Sequence, residues 1–245
     1  MKSILCAAVF VAALVPAAWS QDSTTAKGAP PAKPEPTESD SLPAHIGSAY
    51  RDYSEKQSFS LFFGYFGGNR GSAGVGPQGS AIAGLGYLIH LGGPANAFAR
   101  FSYAKSQRDV VDPALPPTAR VTGPIAAPLY MIDIGVTADV TGEKLWHGMT
   151  PYAGFDLGLA NGSNTPDAGG YKFGTQFYVG LGGGLKYQVK GPWVVTMNAW
   201  FQWWQLHYPP SYFEGTQSVL PINAPDKDWT TNGVYTIGLS YLFKR

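Results

Sequence analysis

Cysteine is almost absent. Among 245 residues only Cys6 carries a thiol, and it sits in the first apolar run, so the rest of the chain has no disulfide framework. Charge is scarce too, at 13% of residues where an ordinary soluble domain has about 25%. With 17 basic and 16 acidic residues there is no concentrated basic footprint, which argues against nucleic acid as a partner. After residue 20 no apolar run approaches the roughly 20 residues of a transmembrane helix. His45, His90, His147 and His207 are scattered without ligand spacing, so neither a metal nor another cofactor is expected. The run GYFGGNRGSAGVG is glycine-rich but lacks the βαβ context of a phosphate-binding loop.

What is present is glycine, 31 residues, and aromatic residues, 14% of the chain. Met1 and Lys2 precede an apolar run from Ile4 to Val15, and Ala18-Trp19-Ser20 supplies small residues, the pattern of a signal peptide over 1–20 cleaved before Gln21. Removing Lys2 with it leaves 16 basic and 16 acidic residues, a formal charge of zero. Residues 21–57 are rich in Pro, Ala, Ser and charge. With little apolar surface to bury, they are expected to form a flexible tether.

Residues 58–245 are regular. Eight segments alternate with period two: 58–66, 81–91, 97–105, 128–140, 151–160, 173–188, 192–204 and 233–243. Long connections at 67–80, 106–127, 161–172 and 205–232 alternate with shorter ones at 92–96, 141–150 and 189–191. An even strand number with this alternation is the wiring of an up-and-down barrel. One face of every segment is apolar and uncharged, as in Phe59, Leu61, Phe63 and Tyr65, or Tyr235, Ile237, Leu239, Tyr241 and Phe243. A cation at a bilayer midplane costs roughly 2–4 kcal/mol, so an uncharged face suits lipid. The other face carries glycine, small polar residues and the charges, which suits a narrow eight-strand interior. Trp193 and Trp203 lie ten residues apart, about 33 Å along a strand at roughly 3.3 Å per residue. Tilted by about 40°, that spans the apolar band between two aromatic girdles. Tyr65, Tyr187, Tyr241 and Phe243 complete the expected girdle.

With these faces assigned, the chain resembles the eight-stranded outer-membrane barrels of Gram-negative bacteria, the OmpA-transmembrane, OmpX and OmpW-like group. The resemblance covers about residues 58–245. It implies an all-β, eight-stranded antiparallel transmembrane barrel in the outer membrane; the Pro-rich segment before it is expected to be disordered from its composition. It also implies that the insertion machinery reads the final aromatic strand, here VYTIGLSYLF followed by Lys244 and Arg245.

Five inward charges invite a functional reading. Arg100, Asp133 and Asp156 fall near the middle of neighbouring strands, and Asp139 and Lys186 near the short-turn end with His90. Buried charges should pair, so an Arg100–Asp133/Asp156 cluster closing the barrel is expected. A narrow path for ions or small solutes is the alternative. His207, Ser211 and Glu214 are the candidates for a lipid A-modifying site, but their spacing promises no base within reach of the nucleophile, and no enzyme is expected. Loop 205–232 holds His207, Tyr208, Tyr212, Phe213 and Trp229, which could grip a surface ligand or fold back over the mouth. Lys105, Arg108 and Arg120 are placed at the same rim, where they could meet lipopolysaccharide phosphates. The expected role is structural or interactive at the cell envelope, through adhesion or integrity, with lipid and lipopolysaccharide as partners.

Overall fold

The computed structural model describes residues 50–52, 56–162, 168–214 and 218–243. The expected signal peptide and nearly all of the tether lie outside these residues. Eight wall strands follow one another: β1 (Gln57–Gly67), β2 (Ser80–Gly92), β3 (Ala95–Ala104), β4 (Leu129–Asp139), β5 (Met149–Gly162), β6 (Thr175–Lys190), β7 (Trp193–His207) and β8 (Lys227–Phe243). Each pairs antiparallel with the next. β8 returns to β1 with Leu239 opposite Leu61, so the sheet closes on itself and leaves no edge.

Side-chain alternation sets what touches what. Phe63, Ile132, Phe155, Leu181 and Met197 point outward and are more than half exposed or close to it, with no charge among the outward residues between the girdles. No helix among the described residues is long and apolar enough to cross a membrane; the apolar surface belongs to strands. Leu239 stands near the middle of the outward row of β8, flanked by Leu61 and Val195. Replacing it with arginine is expected to destabilise the folded barrel by about 2–4 kcal/mol in lipid vesicles. A Leu239→Arg protein as stable as the parent in equilibrium unfolding would mean that this wall does not face acyl chains.

The interior is filled less by small residues than the alternation suggests. Large inward side chains lie over inward glycines of the neighbouring strand. A Cβ on Gly158 would stand 2.4 Å from the Tyr178 ring, one on Gly182 2.6 Å from Trp200, and one on Gly135 2.6 Å from Phe98. Each glycine is thus the recess that admits its neighbour's ring.

Three segments differ from the pattern. β8 begins at Lys227 and β7 runs to His207, so the connection expected over 205–232 spans only 208–226. Asp228, Trp229, Thr230, Thr231 and Asn232 lack the apolar alternation that marks a strand, yet they pair with residues 202–206 of β7. The ladder itself holds them extended. Connection 106–127 is also partly ordered: Gln107–Val111 pairs with Val121–Ala126 as a two-stranded ribbon. At the short-turn end, Tyr50–Asp52 pairs with Lys144–Trp146.

Candidate functional site

The inward charges form two clusters. In the first, β3 places Arg100 opposite Asp133 of β4, and Asp156 follows one strand further on β5. Arg100 donates from Nε to Asp133 Oδ1 at 2.7 Å and from Nη2 to Asp156 Oδ2 at 2.5 Å. The Tyr178 hydroxyl donates to Asp133 Oδ2 at 2.9 Å. The guanidinium also packs against two rings, 4.7 Å from the centroid of Phe98 and 4.4 Å from that of Trp200. Asp133 and Asp156 are buried, so fixed donors replace water around them.

The second cluster lies toward the short-turn end. Lys186 Nζ stands 3.3 Å from Asp139, whose other oxygen accepts from Asn96 Nδ2 at 3.1 Å. With its amide NH2 committed there, Asn96 offers its carbonyl to His90 Nδ1, 3.0 Å away. His90 Nε2 in turn faces the exposed Glu143 at 3.8 Å. Tyr152 donates to Asn198, which donates to Thr236 at 3.1 Å. Arg100, Lys186, Trp200 and several hydroxyls wall an internal chamber of about 80 Å³.

Toward the long loops the interior turns apolar. Trp204 is fully buried, stacked on Phe66 at 5.9 Å and edge-on to Phe173 at 5.9 Å and Tyr178 at 6.0 Å. Tyr208 extends this core upward, 6.3 Å from the Tyr171 ring and 6.2 Å from Tyr212. The connections are tied down over it. Tyr212 donates to the Val111 carbonyl, Tyr208 donates to Asp228 at 3.1 Å, and Ser72 donates to the same carboxylate from backbone and hydroxyl. Burial pushes the Tyr208 phenol up to about 12. Aromatics of the last connection therefore cover the mouth.

Arg108 and Arg120 are corrections to the rim reading. Both are buried: Arg108 lies 5.3 Å from the Tyr171 ring, and Arg120 donates to the Ser218 carbonyl at 3.2 Å. They join the loops together and do not face the outside. Lys105 remains exposed. Ser211 donates to the Gly169 carbonyl at 2.6 Å, whereas His207 is exposed at the end of β7. Among the described residues no three His, Cys, Asp or Glu side chains converge as a metal site.

The outward aromatics fall in two groups. Trp193 packs edge-on to Tyr241 at 5.0 Å and Tyr241 on Phe243 at 5.3 Å, with Tyr187 exposed near them at the short-turn end. Tyr65 and the half-buried Trp203 lie toward the long loops, where Tyr103 and Tyr130 also meet at 5.2 Å. Tyr178, Trp200 and Trp204, the rings that fill the interior, do not stand out in the sequence pattern of a single strand. Their signal is inward parity beside glycine on the neighbouring strand.

No family model and no curated protein matches the chain. Among solved structures it is similar to Neisserial surface protein A, at 14% identity and TM-score 0.45 over 80% of this chain and 98% of that one. It is also similar to the outer membrane protein OprG from Pseudomonas aeruginosa, at 12% identity and TM-score 0.47, over 79% and 99%. The Yersinia pestis outer membrane protein Ail gives 11% identity and TM-score 0.37, over 78% and 100%. By its own closed register and uncharged apolar exterior, the chain is an eight-stranded antiparallel β-barrel whose wall faces lipid.

Proposed function

We propose that the protein works at the surface of a Gram-negative outer membrane as a capped barrel, in adhesion or envelope integrity, and not as a catalyst. The observation that carries this reading is the aromatic core around Trp204, which runs from the upper interior into the loops and fills the mouth. A narrow solute path would have to pass both this core and the Arg100 cluster. The cap also offers something to bind with. From Pro113 to Ala126 the only charge is Arg120, which is turned inward, and Leu115, Val121 and Ile222 are 40%, 56% and 81% exposed. Exposed apolar groups on a fixed support are features of contact surfaces. The aromatic β8 supports recognition by the insertion machinery, and the outward rings support contact with lipid and with lipopolysaccharide beside Lys105.

Whole-cell binding to host-cell monolayers tests this role. Replacing Leu115 and Ile222 with aspartate is expected to weaken attachment roughly tenfold, equivalent to about 1.4 kcal/mol, while the protein still fractionates with the outer membrane. Unchanged attachment would remove the adhesive role. Stepwise conductance of the parent protein in planar bilayers would favour the channel.

A further inference from the structure

The interior chamber has a wall chemistry that the surface role does not use. Its wall contains two cations, Arg100 and Lys186, with the hydroxyls of Ser58, Ser60, Thr196 and Ser240. None of the three buried carboxylates lines it; Asp133 and Asp156 hold Arg100 from behind, and Asp139 holds Lys186. Arg100 commits Nε and Nη2 to those carboxylates yet keeps 18% of its side chain accessible. Two further wall residues, Thr137 and Trp200, have a buried hydroxyl and a buried indole N–H with no hydrogen-bond partner. An indole N–H can only donate, and a buried donor without an acceptor is costly. The wall is thus rich in donors and backed by acids that hold its cations in place.

We propose that this chamber is a binding site for a small monovalent oxyanion or carboxylate. Size favours a small guest: at about 80 Å³ the chamber has room for formate, nitrate or acetate. Charge sets the valence. Arg100 and Lys186 against Asp133, Asp139 and Asp156 sum to one net negative charge. A guest is therefore held by contact with the nearer cations, since Coulomb attraction falls with distance. A divalent anion gains too little from those contacts to overcome the excess. The chain from Glu143 through His90, Asn96 and Asp139 to Lys186 makes the short-turn side the polar approach. This inference stands apart from the cap and survives if the adhesive role fails.

The experiment uses the refolded full chain in nanodiscs, with sodium formate replacing sodium sulfate at constant sodium concentration. Nitrogen-15 NMR follows the Arg100 Nε–H and the Trp200 indole. Expected is a saturable shift of both signals, with affinity in the millimolar range. Replacing Ser60 with alanine and Thr137 with valine together should weaken it at least tenfold. If the double variant does not fold, the same comparison is made with Ser60→Ala alone. Signals that stay fixed, or drift linearly without saturating, would overturn the proposal. So would saturation with unchanged affinity in the variant, which would move the site elsewhere.

Discussion

Replacing Arg100 with alanine is expected to lower the unfolding free energy of the barrel by about 3–5 kcal/mol. The loss follows from what stays behind. Asp133 and Asp156 are 3% and 0% exposed, and each takes its charged hydrogen bond from this one guanidinium. With the guanidinium gone, two carboxylates would face each other in a confined space. Packing is lost as well, because the guanidinium rests against both Phe98 and Trp200. Lysine should not restore the parent value, since a single ammonium cannot reproduce the fork that spans two carboxylates. A triple replacement, Arg100→Met with Asp133→Asn and Asp156→Asn, should recover most of the loss, because it removes the stranded charges with their partner. Denaturant titration in detergent reads all three. A cost below about 1 kcal/mol for Arg100→Ala would show that the cluster does not hold these strands together.

How much of this is legible in the residues depends on whether a feature is decided by one strand or by two. The outward face belongs to the first kind. Phe59, Leu61, Phe63 and Tyr65 must each be apolar whatever lies beside them, so alternation alone exposes the wall. The charged groups are of the same kind, since Arg100, Asp133 and Asp156 stand out as charges at inward parity in mid-strand. Packing of the interior belongs to the second kind. That Tyr178 lies over Gly158 and Trp200 over Gly182 follows from the register, which sets Tyr178 opposite Gly158 and Gly182 opposite Trp200. A one-residue slip would set different partners side by side. The start of β8 is hidden for a related reason: Asp228 to Asn232 have no apolar alternation and are extended by their neighbour. Burial of Arg108 and Arg120 depends on how separate loops meet, which local spacing does not encode.

Trp204→Ala is expected to cost about 3–5 kcal/mol as well, through a different mechanism and with a second readout. Trp204 is fully buried and in ring contact with Phe66, Phe173 and Tyr178, so its removal leaves a hole bounded by apolar rings. Neighbours anchored in paired strands can relax only partly into that space, which puts the cost at the upper end for a core truncation. Phenylalanine, which keeps a ring against the same three partners, should lose markedly less. The hole should nevertheless stay dry. Water needs polar partners to enter a cavity, and these walls offer almost none. Planar-bilayer recordings of Trp204→Ala should therefore show no ion current even though the protein is clearly weakened. Tyr208, Tyr171 and Tyr212 still cover the mouth above, and Arg100 with its two carboxylates still crosses the interior below. A steady current from this variant would instead identify Trp204 as the sole barrier in a path that is otherwise open. The cap would then be a gate, and the barrel a conduit.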